Sequence, residues 1–338
     1  MYAMYFPPFP PGFLGSGKMA LPTPPISPLT IINPNSPSPP STAASPRTTV
    51  VLPGLGNNSG DYRGLCWTLR DGYGIPTVVA KVSRLDWFRN AAGLLDSNYW
   101  RGTLRPRPVL DWYLERVAEA VSEARKLCPQ GGSLALIGHS AGGWLARLYM
   151  EEFGWSDISL LITLGTPHLP PPKGLAGVID QTRGLLDYVE KHCAPAVYTS
   201  ELKYICIAGR YIRGARFISN PNSDIIDHID NNKGASELVI TERIVGSAPV
   251  APTMRTRFIG QGYKQAKITY IWLLLSLVCG KADVWGDGVV PEISAHLDGA
   301  LNISFDGVFH SPVGSDDILR PWYGSPSVVQ KWINHLLN

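Results

Sequence analysis

Apolar residues along this chain fall into two kinds of pattern. Short continuous runs stand at Thr48–Leu52, Ile75–Ser83, Ile158–Leu164, Leu202–Ala208 and Ala300–Phe305, and a further run from Ser133 leads into Gly138. Runs of that length, bounded by turn residues, read as strands buried on both faces. Elsewhere the spacing is helical. Leu110, Leu114, Val117, Val121, Ala124 and Cys128 recur at alternating steps of four and three, which predicts a long helix opened by Pro108 and stopped at Pro129. A second helix is expected from Trp144 to Gly154, and a last one is introduced by Ser325-Pro326, with Val329, Trp332, Ile333 and Leu336 facing inward. Strands that alternate with helices and are apolar on both faces imply a mostly parallel central sheet flanked by helices.

The run from Ser133 continues as Gly138-His139-Ser140-Ala141-Gly142 and then as the second helix. G-x-S-x-G at a strand-to-helix turn is a nucleophile elbow. The turn is so tight that the serine is strained, its Oγ thrust outward, and only small neighbours let strand and helix pass that closely. Ser140 is therefore the candidate nucleophile. The first strand breaks at Pro53-Gly54-Leu55-Gly56-Asn57-Asn58, a glycine-rich loop. In an enzyme with such an elbow, one oxyanion N–H comes from a loop of this kind and the other from the residue after the nucleophile. Leu55 and Ala141 are the candidates, with Gly56 the alternative in the loop.

A serine hydroxyl needs a histidine to take its proton and an acid to orient that histidine. In elbow proteins the chain order is serine, acid, histidine. His310 stands in a turn after the last strand and Asp287 in Gly286-Asp287-Gly288 before it, so these complete the candidate triad with Ser140. His168 precedes the acid and breaks the order, His296 lies before the last strand, Asp306 reads as a turn residue, and Asp283 is a further competitor for the acid. Arg84–Gly102 reads as a loop. Its Trp87, Phe88, Tyr99 and Trp100 either line an acyl pocket or pack, and Arg101, Arg105 and Arg107 form either a solvated face or an anionic head-group site.

Taken together, PGLGNN, GHSAGG, LGTPH, GDGVVP and FHSP in this order resemble the α/β-hydrolase lipases and esterases, and specifically the soluble plant and cyanobacterial relatives of the GPI inositol-deacylase. The resemblance runs from about Thr48 to Asn338. It implies an α/β-hydrolase fold with a lid insertion, the lid region falling at about 184–280, and Ser140, Asp287 and His310 as a triad that hydrolyses a carboxylic ester, expected to be a lipid. The stretch Ala266–Leu277 (AKITYIWLLLSL) interrupts the resemblance. It is too short for a membrane span of ~20 residues, and is expected to be a lid element, a surface anchor or an insertion. No transmembrane segment is expected, while contact with a membrane surface is.

Composition changes the picture at one end. Among the first fifty residues thirteen are proline, and no Asp or Glu occurs before Asp61. Such a segment cannot build a core, and absence of acid with abundant hydroxyls is the composition of an organelle transit peptide. Residues 1–47 are expected to be a disordered Pro/Ser-rich tail directing the chain to the chloroplast, with a cytoplasmic location the alternative, and residues 48–338 to be the hydrolase domain. Five widely spaced cysteines suit free thiols better than a disulfide framework. A net charge of +3 gives nucleic acid no support as a partner, and no zinc spacing or Walker loop calls for a metal or cofactor. The expected function is that of a serine hydrolase acting through an acyl-enzyme on Ser140. Acyl transfer by the same triad and a non-catalytic ligand-binding role on the same fold are the alternatives.

Overall fold

Six strands of the computed structural model lie parallel in one sheet. In chain order the strands are β1 (Thr48–Leu52), β2 (Thr77–Val79), β3 (Leu134–His139), β4 (Ile158–Leu164), β5 (Lys203–Arg210), β6 (Ile212–Arg213), β7 (Trp285–Gly286) and β8 (Leu301–Asp306). Across the sheet the order is β2-β1-β3-β4-β5-β8, while β6 and β7 form a separate antiparallel pair. That order, entirely parallel, is an α/β-hydrolase sheet. The structure describes residues 47–171, 180–213 and 284–337.

Each strand is apolar on both faces because each face has its own core. Val50, Leu52, Leu134, Leu136 and Leu161 point to one side, where they meet α3 (Asp111–Leu127), α4 (Ala141–Phe153) and α5 (Leu185–His192). Val51, Ala135, Ile137, Ile162, Ile205 and Ile207 point to the other, against α1 (Arg63–Trp67) and α6 (Pro326–Trp332). The two-residue period of a strand divides each run between two apolar layers, which is why the runs look continuous in sequence. The helix expected from Pro108 buries Leu110, Leu114, Val117, Val121 and Ala124 as its spacing implies, and Val329, Trp332, Ile333 and Leu336 are buried at the far end of the chain.

Two local expectations differ from the structure. The strand expected over Ile75–Ser83 is regular only over Thr77–Val79. Beyond it Ser59 takes the backbone: its hydroxyl donates to Ala80 O at 2.8 Å and accepts from Val82 N at 2.8 Å. The loop expected over Arg84–Gly102 is instead a 3-10 helix at Asp86–Leu95 followed by α2 (Ser97–Arg101), which Asp96 caps by accepting from Asn98 N. Within the stretch expected to form a lid, α5 packs Leu185, Leu186 and Val189 into the core and β5 is a strand of the main sheet. The rest of that stretch, including Ala266–Leu277, lies outside the described residues, as do the tail 1–46 and Asp283. Among the described residues no helix is long and apolar enough to cross a membrane. Cys66, Cys193 and Cys206 are buried free thiols, and Cys128 is free and half-buried.

Trp332 is fully buried and its indole N–H donates to Tyr323 O at 3.0 Å, so one side chain both fills the second core and fixes the backbone of a neighbouring turn. Trp332→Ala is expected to cost about 3–5 kcal/mol of stability, measured as a lower urea midpoint at unchanged slope. A loss under about 1 kcal/mol would mean that this core collapses around the gap.

Candidate active site

The sheet order reverses direction between β1 and β3, since β2 was added on one side of β1 and every later main-sheet strand on the other. Crevices in such sheets open at the carboxyl ends of the strands beside this switch point. The glycine-rich loop after β1 and Ser140 after β3 both stand there.

Ser140 has φ 52° and ψ −128°, a conformation that L-residues rarely adopt. Packing imposes it. A Cβ on Gly142 would collide with the Leu52 carbonyl, and one on Gly54 would come within 2.7 Å of Ser140 Cβ. The helix start, the end of β1 and the glycine-rich loop thus share a space in which no side chain fits. The strain is held because all three backbones are fixed by the sheet.

Opposite the serine, His310 follows β8 and its ring is buried. Its Nε2 lies 3.0 Å from Ser140 Oγ and its Nδ1 lies 2.7 Å from Asp287 Oδ2. A carboxylate accepts only, so Nδ1 carries the proton and Nε2 is left to accept from the serine hydroxyl. Asp287 is completely buried, and four donors satisfy it: His310 and the Tyr323 hydroxyl at Oδ2, the amides of Val289 and Val290 at Oδ1. Tyr323 donates at 2.7 Å, and burial, with the carboxylate beside it, holds its phenol proton far above the ordinary range. The His310 amide donates to Asp287 O at 3.0 Å, so acid and histidine are joined through backbone as well as side chain.

A second chain of hydrogen bonds runs beneath the first, and pattern reading did not find it. Gly54 N–H donates to the Tyr62 hydroxyl at 2.8 Å, Tyr62 stands 2.8 Å from His139 Nδ1, and His139 Nε2 stands 2.9 Å from the His310 carbonyl. The carbonyl assigns the tautomer: Nε2–H donates to it, so Nδ1 accepts from Tyr62. The residue before the nucleophile thereby ties the glycine-rich loop to the histidine turn. Burial first, and the neighbouring His310 second, push the His139 pKa down to about 3. The two imidazole centroids are 4.9 Å apart, so a neutral His139 avoids facing a protonated His310 with a like charge.

The glycine-rich loop is held from outside as well. Asp61 accepts from Asn58 N and pairs with Arg84, and Trp87 Nε1 donates to Asn57 O at 2.8 Å while its ring packs on Trp112 and Tyr113. Trp87 is therefore a packing residue, whereas Phe88 and Trp100 are exposed and Tyr99 carries Arg183 over its ring. Arg101 and Arg105 are exposed, and Arg107 is paired with Glu152 and Asp111. The competing residues stand apart from the serine. His168 is buried against Thr163 and Cys206, His296 lies against Ser304, and Asp306 is exposed beside Arg210.

Fold and site together define an α/β-hydrolase with a serine, histidine and aspartate in hydrogen-bonded series. Residues 109–199 match the family model described as PGAP1-like alpha/beta domain. Over 59 residues the chain is 34% identical to the GPI inositol-deacylase of Cryptococcus neoformans var. neoformans serotype D (strain B-3501A), and the match covers 18% of this chain and 8% of that protein. The chain's match to the same enzyme of strain JEC21 covers 7% of its length, so only a small part of these relatives has a counterpart here. Among solved structures it is similar to the Bacillus licheniformis lipase BlEst2 in mature form, with TM-score 0.42 and 13% identity, covering 89% of this chain and 96% of that one. A Paleococcus ferrophilus monoacylglycerol lipase gives TM-score 0.34 and 11% identity, covering 86% and 93%.

The low pKa of His139 has a consequence for stability. Its folded value lies below the unfolded value of 6.5, so the contribution is complete above pH 6.5 and is lost as pH falls toward 3. The thermal midpoint of the protein is expected to fall between pH 6.5 and 4, and to fall less steeply in His139→Gln. Equal slopes in a melting series across that range would mean that His139 takes no proton on unfolding.

Proposed function

We propose that this protein is a serine hydrolase that cleaves a carboxylic ester through an acyl-enzyme on Ser140. The observation that carries the reading is the continuous series Ser140 Oγ, His310 and Asp287, with contacts of 3.0 and 2.7 Å, set on a strained elbow at the switch point of the sheet. His310 Nε2 takes the hydroxyl proton as Oγ adds to the ester carbonyl, and Asp287 stabilises the imidazolium that forms. Collapse of the tetrahedral intermediate passes that proton to the leaving alcohol and leaves the acyl group on Oγ. Water, giving a proton to the same Nε2, then adds to the acyl carbon, and collapse of the second intermediate returns that proton to Oγ as the carboxylic acid leaves.

Leu55 N–H and Ala141 N–H are the oxyanion donors in this scheme. Gly54 lies against Ser140 Cβ and has given its own N–H to Tyr62, which supports the next amide, that of Leu55, as the donor from this loop. A lipid ester suits the large apolar side chains that these segments expose. Leu55 is exposed in the loop itself, and Leu95 and Trp100, on consecutive short helices, are 92% and 69% exposed. A peripheral contact with a lipid surface would cover these groups. The Cryptococcus relatives are named as deacylases, and removal of an acyl group is the same class of reaction.

Ser140→Ala is expected to abolish labelling by a fluorophosphonate and hydrolysis of p-nitrophenyl butyrate, a loss in kcat of about 10⁴ or more. His310→Ala should lose nearly as much, and Asp287→Asn somewhat less, because serine and histidine act as one machine. Labelling that persists in Ser140→Ala overturns the assignment, and a wild type that neither labels nor turns over favours a ligand-binding role.

The acid-free, Pro/Ser-rich segment 1–47 supports a chloroplast location. A fluorescent protein fused after residue 47 is expected to enter plastids and lose the leader. Diffuse cytosolic fluorescence of the fusion would overturn this.

A further inference from the structure

Arg147 lies about two turns along α4 from Ser140. It is only 4% exposed, yet its Nε and Nη1 have no hydrogen-bond partner among the described residues. A guanidinium keeps its charge at any ordinary pH, and among the described residues no carboxylate pairs with this one, Glu151 on the same wall being engaged by Ala194 N, so this side chain asks for an anion. It lines a cavity of about 150 Å³. Met150 and Trp155 from the end of α4, and Leu202 and Tyr204 from the start of β5, form other walls. Because α4 starts at Ser140 and β5 runs parallel to β3, these residues stand at the edge of the sheet opposite the serine.

We propose that this cavity binds a small monocarboxylate, with its oxygens on Arg147 and the Tyr204 hydroxyl and its alkyl chain against Met150, Trp155 and Leu202. Size and charge select this class. An apolar cavity of about 150 Å³ takes a benzene ring, and butyrate has about as many heavy atoms. Tyr204 lies in hydrogen-bonding contact with Arg147, and burial pushes its pKa up to about 12, so the phenol keeps its proton and can donate it. Thr199 is already engaged with Leu202, which leaves too few donors for a phosphate. Glu151 is on the same wall, its Oε2 accepting from Ala194 N at 3.0 Å, and its charge repels a dianion about twice as strongly as a monocarboxylate.

The test is a thermal-shift and tryptophan-fluorescence titration of the full chain with sodium butyrate, and in parallel with inorganic phosphate. Butyrate is expected to raise the wild-type midpoint and change the Trp155 emission, while phosphate does neither. Arg147→Met should melt higher than wild type without ligand, since it removes the unpaired charge, and should bind butyrate at least about tenfold more weakly. Val197→Trp, which fills the mouth from an exposed loop position and leaves Arg147 intact, should also lose the response. No response of the wild type to butyrate, equal binding by Arg147→Met or by Val197→Trp, or a phosphate response as large as that to butyrate would each overturn the proposal.

Discussion

Everything at the site depends on three backbones meeting with no side chain between them. Leu52 at the end of β1, Gly54 in the following loop and Gly142 at the start of α4 approach so closely that a single Cβ at either glycine would part them. That closeness forces Ser140 into its positive φ, and it also brings the loop's peptide against the nucleophile. Strain at one residue and preorganisation at the next are thus two results of the same packing. The sheet sustains it, since β1 and β3 pair from Thr48↔Leu134 to Leu52↔Gly138, right up to the crowded end.

His139 converts that local geometry into a connection across the sheet. Its side chain receives from Tyr62 on one side and donates to the backbone of His310 on the other, so a shift of the glycine-rich loop and a shift of the histidine turn are mechanically linked. The linkage works only with a neutral ring, because a protonated His139 would lose its acceptor at Nδ1. Burial secures that state. Tyr323 does for Asp287 what His139 does for His310, and Trp332 in turn anchors the Tyr323 backbone, so the acid is supported from the second core. The helix Pro326–Trp332 therefore contributes to the site through Trp332, which stands behind the acid.

How much of this is legible in the sequence follows from how local each feature is. The elbow is readable because strand, turn and helix are contiguous, and Gly142 declares the close approach even though Leu52, which requires it, is ninety residues earlier in the chain. His310 is readable because it follows a strand whose apolar run stands out, and Asp287 through chain order and its Gly286-Asp287-Gly288 turn ahead of that strand. The Tyr62–His139 link is not, because an isolated tyrosine after a glycine-rich loop carries no pattern and its partner is in a different layer. Short elements fail for another reason. Asp86–Leu95 turns at three residues per turn over only ten residues, and the end of the Ile75–Ser83 run is apolar enough for a strand but finds Ser59 where another strand would be.

Polar groups at the two edges of the sheet are treated very differently. At the carboxyl edge Asp287, His139, Tyr62 and Tyr323 are all buried and all satisfied, each by partners from a different segment. Among the described residues, the buried side-chain atoms left without partners are Thr48 Oγ1, His168 Nδ1 and two nitrogens of Arg147. The Thr48 hydroxyl carries no charge, and burial favours the neutral form of His168, so neither needs a counter-charge. Arg147 has no such escape. The fold resolves each buried charge at its catalytic edge with a partner in place, and the same physical requirement at the opposite edge points outside the described chain for the group that meets it.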